Sequence, residues 1–234
     1  MKAPRKTTNK ILASMSGDDA AMLEPMLSEV DLRVRKQLES PNRAIEHVYF
    51  LESGLASIVA SAGTAHSIEI GIVGNEGMTG LPLLLGTDRS PHETFMQSAG
   101  FGWRIVASDF AVAMAQSATL RSRLLLYGNA LVVQMGYTAL ANGRYKLEER
   151  LARWLLMGHD RSDGDDVILT HEFLAIMLGT RRPGVTTALS ELVKSGAIEL
   201  KRGLVTVHSR SSLEETANGS YGAAEAEYAR LLEN

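Results

Sequence analysis

The stretch from Leu169 to Val207, LTHEFLAIMLGTRRPGVTTALSELVKSGAIELKRGLVTV, constrains this chain more than any other. Thr170 has the short side-chain oxygen of an N-cap, and Glu172 suits the positive end of the helix it opens. Phe173, Leu174, Met177 and Leu178 follow at helical spacing, and Gly179 stops the run. After Thr180-Arg181-Arg182, Pro183 falls in the first turn of a second helix, where its missing N–H costs nothing. Val185, Ala188, Leu189, Leu192 and Val193 form that helix's expected buried stripe, with Ser195-Gly196 at its end. Two short alternating runs, 197–200 and 204–207, joined by Lys201-Arg202-Gly203, predict a hairpin. Helix, tight turn, helix and basic hairpin together make a winged helix-turn-helix.

The remaining face of the second helix carries Arg182, Thr186, Thr187, Ser190 and Lys194. A helix with arginines at its N-terminal end can enter a DNA major groove, where a guanidinium fork pairs with guanine O6 and N7. The hydroxyls suit phosphates or base edges, and Lys201 and Arg202 can hold the backbone alongside. The plainer alternative is a helical hairpin that packs on another domain with its charges solvated. The short helices, tight link and basic wing favour DNA.

At 234 residues, with a hydrophobic content of 45%, the chain is long enough for two cores. It has no cysteine, which excludes disulfides, cysteine-held clusters, cysteine-type structural zinc and thiol redox sensing. A net charge of -3 argues against a protein that coats nucleic acid. The positive residues concentrate in 181–202, whereas acids gather at 18–31, 163–166 and 214–233, which is compatible with a basic reading tip on an acidic body. Lys2, Arg5, Lys6 and Lys10 make a basic tail, and the apolar patch behind it, Ile11 to Met15, is too short for a signal peptide. No run reads as membrane-spanning, so a cytoplasmic location is expected, without a membrane partner. No Ser-His-Asp spacing, P-loop or HExxH appears, so no enzyme is expected, and no metal or cofactor.

In chain order, Ser16-Gly-Asp-Asp opens a short helix through Met22, Leu23, Met26 and Leu27, with Ser16 or Asp18 as its cap. From Val30 to about residue 108, short strands broken by Gly, Asn and Pro predict a β-roll or jelly roll. Helical period returns at Asp109. Leu120, Leu124, Tyr127, Leu131, Gln134, Thr138 and Ala141 follow a 4-3 spacing, the seam of a coiled coil. A helix with one such seam most simply pairs with its own copy; the alternative is that it lies on the roll as an ordinary amphipathic helix. Asn142-Gly143 is the expected break and hinge, and 147–157 should pack the second core, Trp154 included. Two short helices are expected after the wing, from Ser212 and from Ala223 to Leu232.

These pieces, in this order, resemble the Crp-Fnr family of bacterial transcription regulators over almost the whole chain. The match is strongest at Glu149-Arg150-Leu-Ala-Arg-Trp154-Leu and Leu169 to Leu192, and extends to HVYFLESGL at 47–55 and to Gly74-Asn-Glu-Gly77. The resemblance implies an α+β fold: a cyclic-nucleotide-binding-like β-roll at 1–117, a dimerisation helix at 118–142, and a winged helix-turn-helix DNA-binding domain at 143–234. It also implies a homodimer on a pseudo-palindromic double-stranded DNA site, and leaves RNA polymerase open as a further partner. Thr170, His171, Arg181 and Gly184 (through its backbone) become expected phosphate contacts, and Arg182, Pro183, Thr186 and Thr187 occupy the base-reading positions.

Where the chain departs from the family, the sensor chemistry changes. Cyclic-AMP-binding members carry a Gly-Glu pair for the ribose and an Arg-Ser pair for the phosphate; here the positions read Met78-Thr79 and His92-Glu93. An acidic Glu93 repels a phosphate, and a histidine does not replace an arginine fork. The family's Thr-Ser pair on the long helix reads Met135-Gly136. No cyclic AMP binding is therefore expected. A surviving ligand site would use Gly74, Glu76, Gly77, Thr79, His92 and Thr94. Haem would need an axial histidine, for which only His47, His66 and His92 lie in the roll, each more simply read as surface. The rival function is a ligand- or protein-binding sensor whose helix-turn-helix docks a protein.

Overall fold

The computed structural model describes residues 7–63 and 66–233, with His171 described by its backbone alone. The tail cations Lys2, Arg5 and Lys6 lie outside the described residues. The chain divides into two compact units, Met1–Ala56 with Val73–Asn129, and Ser57–Ile72 with Ala130–Asn234.

The first unit opens with α1 (Lys10–Ala13) and α2 (Gly17–Leu23). Asn9 and Ser16 cap them, their side-chain oxygens each accepting an N–H at 3.1 Å, from Leu12 and Asp19. Ser16 rather than Asp18 is thus the cap. The strands follow as β1 (Ser28–Leu32), β2 (Gln37–Glu39), β3 (His47–Leu51), β4 (Leu55–Ser61) and β5 (Ser67–Val73), the stretch Ser57–Ile72 of the last two belonging to the second unit. After the short helix α3 (Leu81–Leu84) come β6 (Glu93–Ser98), β7 (Gly100–Val106) and α4 (Ala107–Gln116).

β7 lies between β1 and β3, antiparallel to both, with Trp103 opposite Glu29 on one side and Phe50 on the other. The pairing brings the strands so close that a Cβ at Gly102 would sit 2.3 Å from the Phe50 carbonyl oxygen, so only glycine fits there. The second sheet runs β2-β6-β4-β5. Leu32, Phe50, Leu51, Ile105 and Phe110 are buried, and the Phe50 and Phe110 rings meet edge-on at 6.5 Å. The sheets expected between Val30 and residue 108 are present.

Helix α5 runs 27 residues from Ala118 to Arg144, straight through Asn142 and Gly143. The expected break is therefore displaced: the chain leaves the helix at Tyr145-Lys146, and Gly143 keeps helical geometry because nothing demands a positive φ there. By length and composition α5 could cross a membrane, contrary to the sequence expectation. Yet 44% of its most apolar window is buried within the chain. Its polar groups are also satisfied there: Tyr127 donates to the Met78 carbonyl at 2.8 Å, and Gln134 Oε1 accepts the Ile72 N–H at 2.8 Å. Those are the bonds of a core helix.

The second unit is completed by α6 (Leu147–His159), β8 (Asp166–Ile168), α7 (His171–Met177), α8 (Arg182–Lys194), β9 (Ile198–Lys201), β10 (Leu204–Val207), α9 (Arg210–Ala217) and α10 (Ala223–Leu232). α6 is its axle. Residues Leu151 to Gly158 are all buried, and α8 and α9 pack against them. At the start of α6, the Glu149 carboxylate turns back to accept the Lys146 N–H at 2.7 Å. Arg153 is buried too, its Nε donating to the Ser220 carbonyl at 3.0 Å and its Nη2 to Thr138 Oγ1 at 3.3 Å. The three-stranded sheet β8-β10-β9 closes the unit.

Candidate nucleic-acid interface

The helix-turn-helix forms as the side-chain pattern requires. Thr170 Oγ1 accepts the Phe173 N–H at 3.2 Å and starts α7; Gly179, at φ +54, stops it one residue past the C-cap. Arg150 locks the turn from beneath, with Nε donating to Asn142 Oδ1 at 3.0 Å and Nη2 to the Leu178 carbonyl. Pro183 sits in the first turn of α8. Val185, Ala188, Leu189 and Leu192 are buried beneath it. Val193, expected in that stripe, is 40% exposed, because it falls a full residue step beyond Leu192 on the helix and so leaves the buried face.

Arg181, Arg182, Pro183, Thr186, Thr187, Ser190 and Lys194 all project to the exposed side. Arg181 and Arg202 have no acidic partner among the described residues. Arg182 Nη2 lies 3.5 Å from Glu172 Oε2, and Lys194 Nζ 2.7 Å from Glu191. These are exposed pairs worth at most about 1 kcal/mol, so Arg182 can leave Glu172 for a base edge at little cost.

The structure gives the small side chains a different local role from the one expected. Thr186 Oγ1, Thr187 Oγ1 and Ser190 Oγ donate to carbonyls one turn back, those of Arg182, Pro183 and Thr186. Their hydrogens are spent inside the helix, and it is their oxygens that face outward as acceptors. Gly184 N–H donates to the Arg181 carbonyl at 3.0 Å, so the backbone contact expected from it is already used in the first turn. The side chain of His171 lies outside the described residues.

In the wing, β9 and β10 pair with Lys201 opposite Leu204, leaving Arg202-Gly203 as a two-residue turn with Gly203 at φ +75. Lys201 is a strand residue rather than part of the turn. Its Nζ lies 3.4 Å from Glu199, which also meets His208 Nε2 at 3.2 Å. Arg202 stands at the wing tip.

Several of the sequence-predicted ligand residues already bond within the fold. Gly77 is covered: a Cβ there would lie 2.3 Å from the Tyr127 hydroxyl. Thr79 is buried, and its oxygen accepts the Tyr49 N–H at 3.1 Å. Thr94 donates at 2.9 Å to Glu39, whose other oxygen accepts the Gly80 N–H at 2.6 Å. Burial pushes the Glu39 carboxyl up, and those two donors offset only part of that. Glu76 folds back to accept the Gly74 N–H at 3.1 Å, while His92 is half-buried with its N–H on Ser90. Among the described residues, no group of three or more His, Asp or Glu could hold a metal ion. Gly77→Ala should lower stability by about 1–3 kcal/mol, because the new methyl meets the Tyr127 ring; thermal unfolding of the two proteins reads this directly.

The predicted dimer seam is turned inward. Leu120, Leu124, Tyr127, Leu131 and Gln134 are buried within the chain, and Thr138 is half-buried with its hydroxyl on the Gln134 carbonyl. In the single chain its own residues cover most of them. The opposite face carries a second 4-3 stripe, Leu125, Asn129, Val132, Gly136, Ala139 and Gly143, all exposed, with Leu140 beside it. Leu125, Val132 and Leu140 are 45%, 48% and 47% exposed. Sequence reasoning missed this stripe because Asn and Gly interrupt it.

This is the architecture of a β-roll chain with a winged helix-turn-helix. Residues 149–216 match the family model of the Crp-like helix-turn-helix domain, so the chain carries a domain of that kind. In fold it is similar to FixK2 from Bradyrhizobium japonicum, at 15% identity and a TM-score of 0.71 over 81% of this chain and 96% of that one. It is likewise similar to a CRP-family transcriptional regulator from Thermus thermophilus (18% identity, TM-score 0.70, 83% and 99% covered). A regulator assigned to the Crp/Fnr family from Eubacterium rectale aligns at 16% identity and a TM-score of 0.69, over 89% and 98%. No curated protein matches the sequence. The chain has the fold of the Crp/Fnr transcriptional regulators.

Proposed function

We propose that the protein is a homodimeric, sequence-specific DNA-binding transcription regulator that works without cyclic AMP. The observation that carries this is the exposed face of α8, where Arg181, Arg182 and the outward oxygens of Thr186, Thr187 and Ser190 stand beside a wing tipped by Arg202. In a dimer the two copies of α8 would meet successive major grooves about one helical turn, roughly 34 Å, apart and read a pseudo-palindrome. Arg182 would read a guanine, with Arg181, Thr170, Lys194, Lys201 and Arg202 on phosphates.

Cyclic AMP is disfavoured by the filled cassette as well as by Glu93. Tyr127 covers Gly77, and Thr79 and Thr94 spend their hydroxyls on the fold. In this reading 1–117 is the sensor part, 118–142 the dimerisation helix and 143–234 the DNA-binding part, working in the cytoplasm and not as an enzyme. RNA polymerase is a natural further partner of such a regulator.

The test is selection of bound fragments from random DNA by the purified protein at near-physiological salt. A two-fold-symmetric motif with a guanine in each half-site is expected. Arg182→Ala should weaken that site by about 1–3 kcal/mol per half-site and relax the preference at that base. Enrichment of no motif, with and without cell extract, would favour the reading in which the helix-turn-helix docks a protein.

A further inference from the structure

The base-reading end of α8 has beside it one charge that the DNA reading does not use. Glu172, in the first turn of α7, is half exposed, and its Oε2 lies 3.5 Å from Nη2 of Arg182, the first residue of α8. Both belong to the same compact unit. Thr170 fixes the start of α7 by accepting the Phe173 N–H, and Pro183 suits the first turn of α8, so local chemistry sets both backbones that carry the pair. The outward face of α8 has no acid of its own before Glu191, which is held by Lys194 at 2.7 Å. The acid beside the reading arginine therefore comes from the other helix of the motif.

A carboxylate at that place is a disadvantage for plain DNA affinity. Phosphates repel it, and a chain that only had to hold the backbone would bind more tightly without it. What it supplies is orientation. A guanidinium carries five N–H donors in a rigid plane, so one donor turned to Glu172 leaves four for DNA. An arginine loose on its long stem can meet a phosphate as readily as a base, and a phosphate carries no sequence information. Holding one edge of the plane sets the direction of the remaining fork before contact, and that fork matches O6 and N7 of guanine. The exposed pair is weak in the free chain. Where DNA displaces the surrounding water, the same pair is less screened and stronger.

We propose that Glu172 is a positioning residue for base reading: it holds Arg182 by one edge, aims the remaining fork at guanine and, through its charge, weakens binding to duplexes that offer no guanine there. The inference rests on the DNA reading above and adds a specificity-determining residue to it. Glu172 acts through Arg182 and touches no base itself. The first helix of the motif thereby contributes to base choice as well as to phosphate contact.

Titration of the full chain against three duplexes at one salt concentration tests this. They are the site selected by the wild type, the same site with adenine for guanine at the Arg182 position of both half-sites, and an unrelated sequence. In Glu172→Ala the guanine-over-adenine ratio should fall roughly fivefold per half-site, while affinity for the unrelated duplex should rise about threefold. Glu172→Gln keeps an accepting oxygen without the charge, so it should recover part of the ratio and keep the raised affinity for unrelated DNA. In an Arg182→Ala background, Glu172→Ala should leave the ratio as it is, because no fork remains to be aimed. An equal loss on all three duplexes would mean that Glu172 merely supports α7, and would overturn the proposal. So would an unchanged ratio in Glu172→Ala, or the same fall without Arg182. A wild type that selects no motif overturns the DNA reading and this inference with it; a guanine preference that survives Glu172→Ala overturns this inference alone.

Discussion

Leu125→Glu combined with Val132→Glu should yield a folded monomer that binds its DNA site at least about a hundredfold more weakly than the wild type. The two side chains lie on one exposed face of α5, each about half open to solvent. Introducing carboxylates there costs the monomer little, since surface substitutions stay within about 0.5 kcal/mol. In a dimer they would put like charges into an apolar interface, where uncompensated burial costs several kcal/mol. With one recognition helix per particle, the second half-site contact changes from intramolecular to bimolecular, and that loss sets the hundredfold scale. Sedimentation and gel retardation on the selected site read both effects. A variant that stays dimeric with unchanged affinity would show that the stripe is not the interface.

Leu124→Ala, one residue away, is expected to do the opposite. Leu124 is fully buried. Deleting its branched end removes apolar burial and leaves a cavity, costing about 2–5 kcal/mol. Urea unfolding at fixed protomer concentration should show a lower midpoint with an unchanged slope. The fraction that remains folded should still dimerise and bind DNA. The contrast between positions 124 and 125 thus assigns one face of α5 to the fold and the other to association, and a dimerisation defect in Leu124→Ala alone would reverse that assignment.

Local chemistry made most of the DNA-binding part legible. Thr170 acts through its own side-chain oxygen and Pro183, Gly179, Gly196 and Gly203 through their backbones, so cap, first turn, helix stops and wing turn lie where their residue types demand. The capping of α2 by Ser16 is legible for the same reason. Val193 falls outside the stripe that spacing suggests, because adjacency to a buried stripe does not fix which helical position is its last. The acceptor-only role of Thr186, Thr187 and Ser190 follows from side-chain rotamers, on which spacing says nothing.

The long helix marks the limit of such reading. It carries two stripes at 4-3 spacing, and a period records that a face is apolar without recording what covers it. Gln134 and Thr138 read as polar register markers in a coiled-coil seam, yet Gln134 accepts the Ile72 N–H and Thr138 donates to the Gln134 carbonyl, while Tyr127 of the same seam donates to the Met78 carbonyl. In the same way Glu69 reads as one charge in an alternating strand. Only the fold sets it against Trp154, 85 residues away in sequence, and leaves its second oxygen unpaired.

The amino-acid sequence by itself therefore determined the kinds of element, their order and the chemistry of the reading face, because capping, periodicity and turn residues act over a few positions. Which face of α5 turns inward, the packing of Tyr127 against Gly77 and the burial of Glu69 were decided only by the tertiary structure. Each depends on which distant residues exclude water from a group, and solvent exclusion belongs to the whole packed chain.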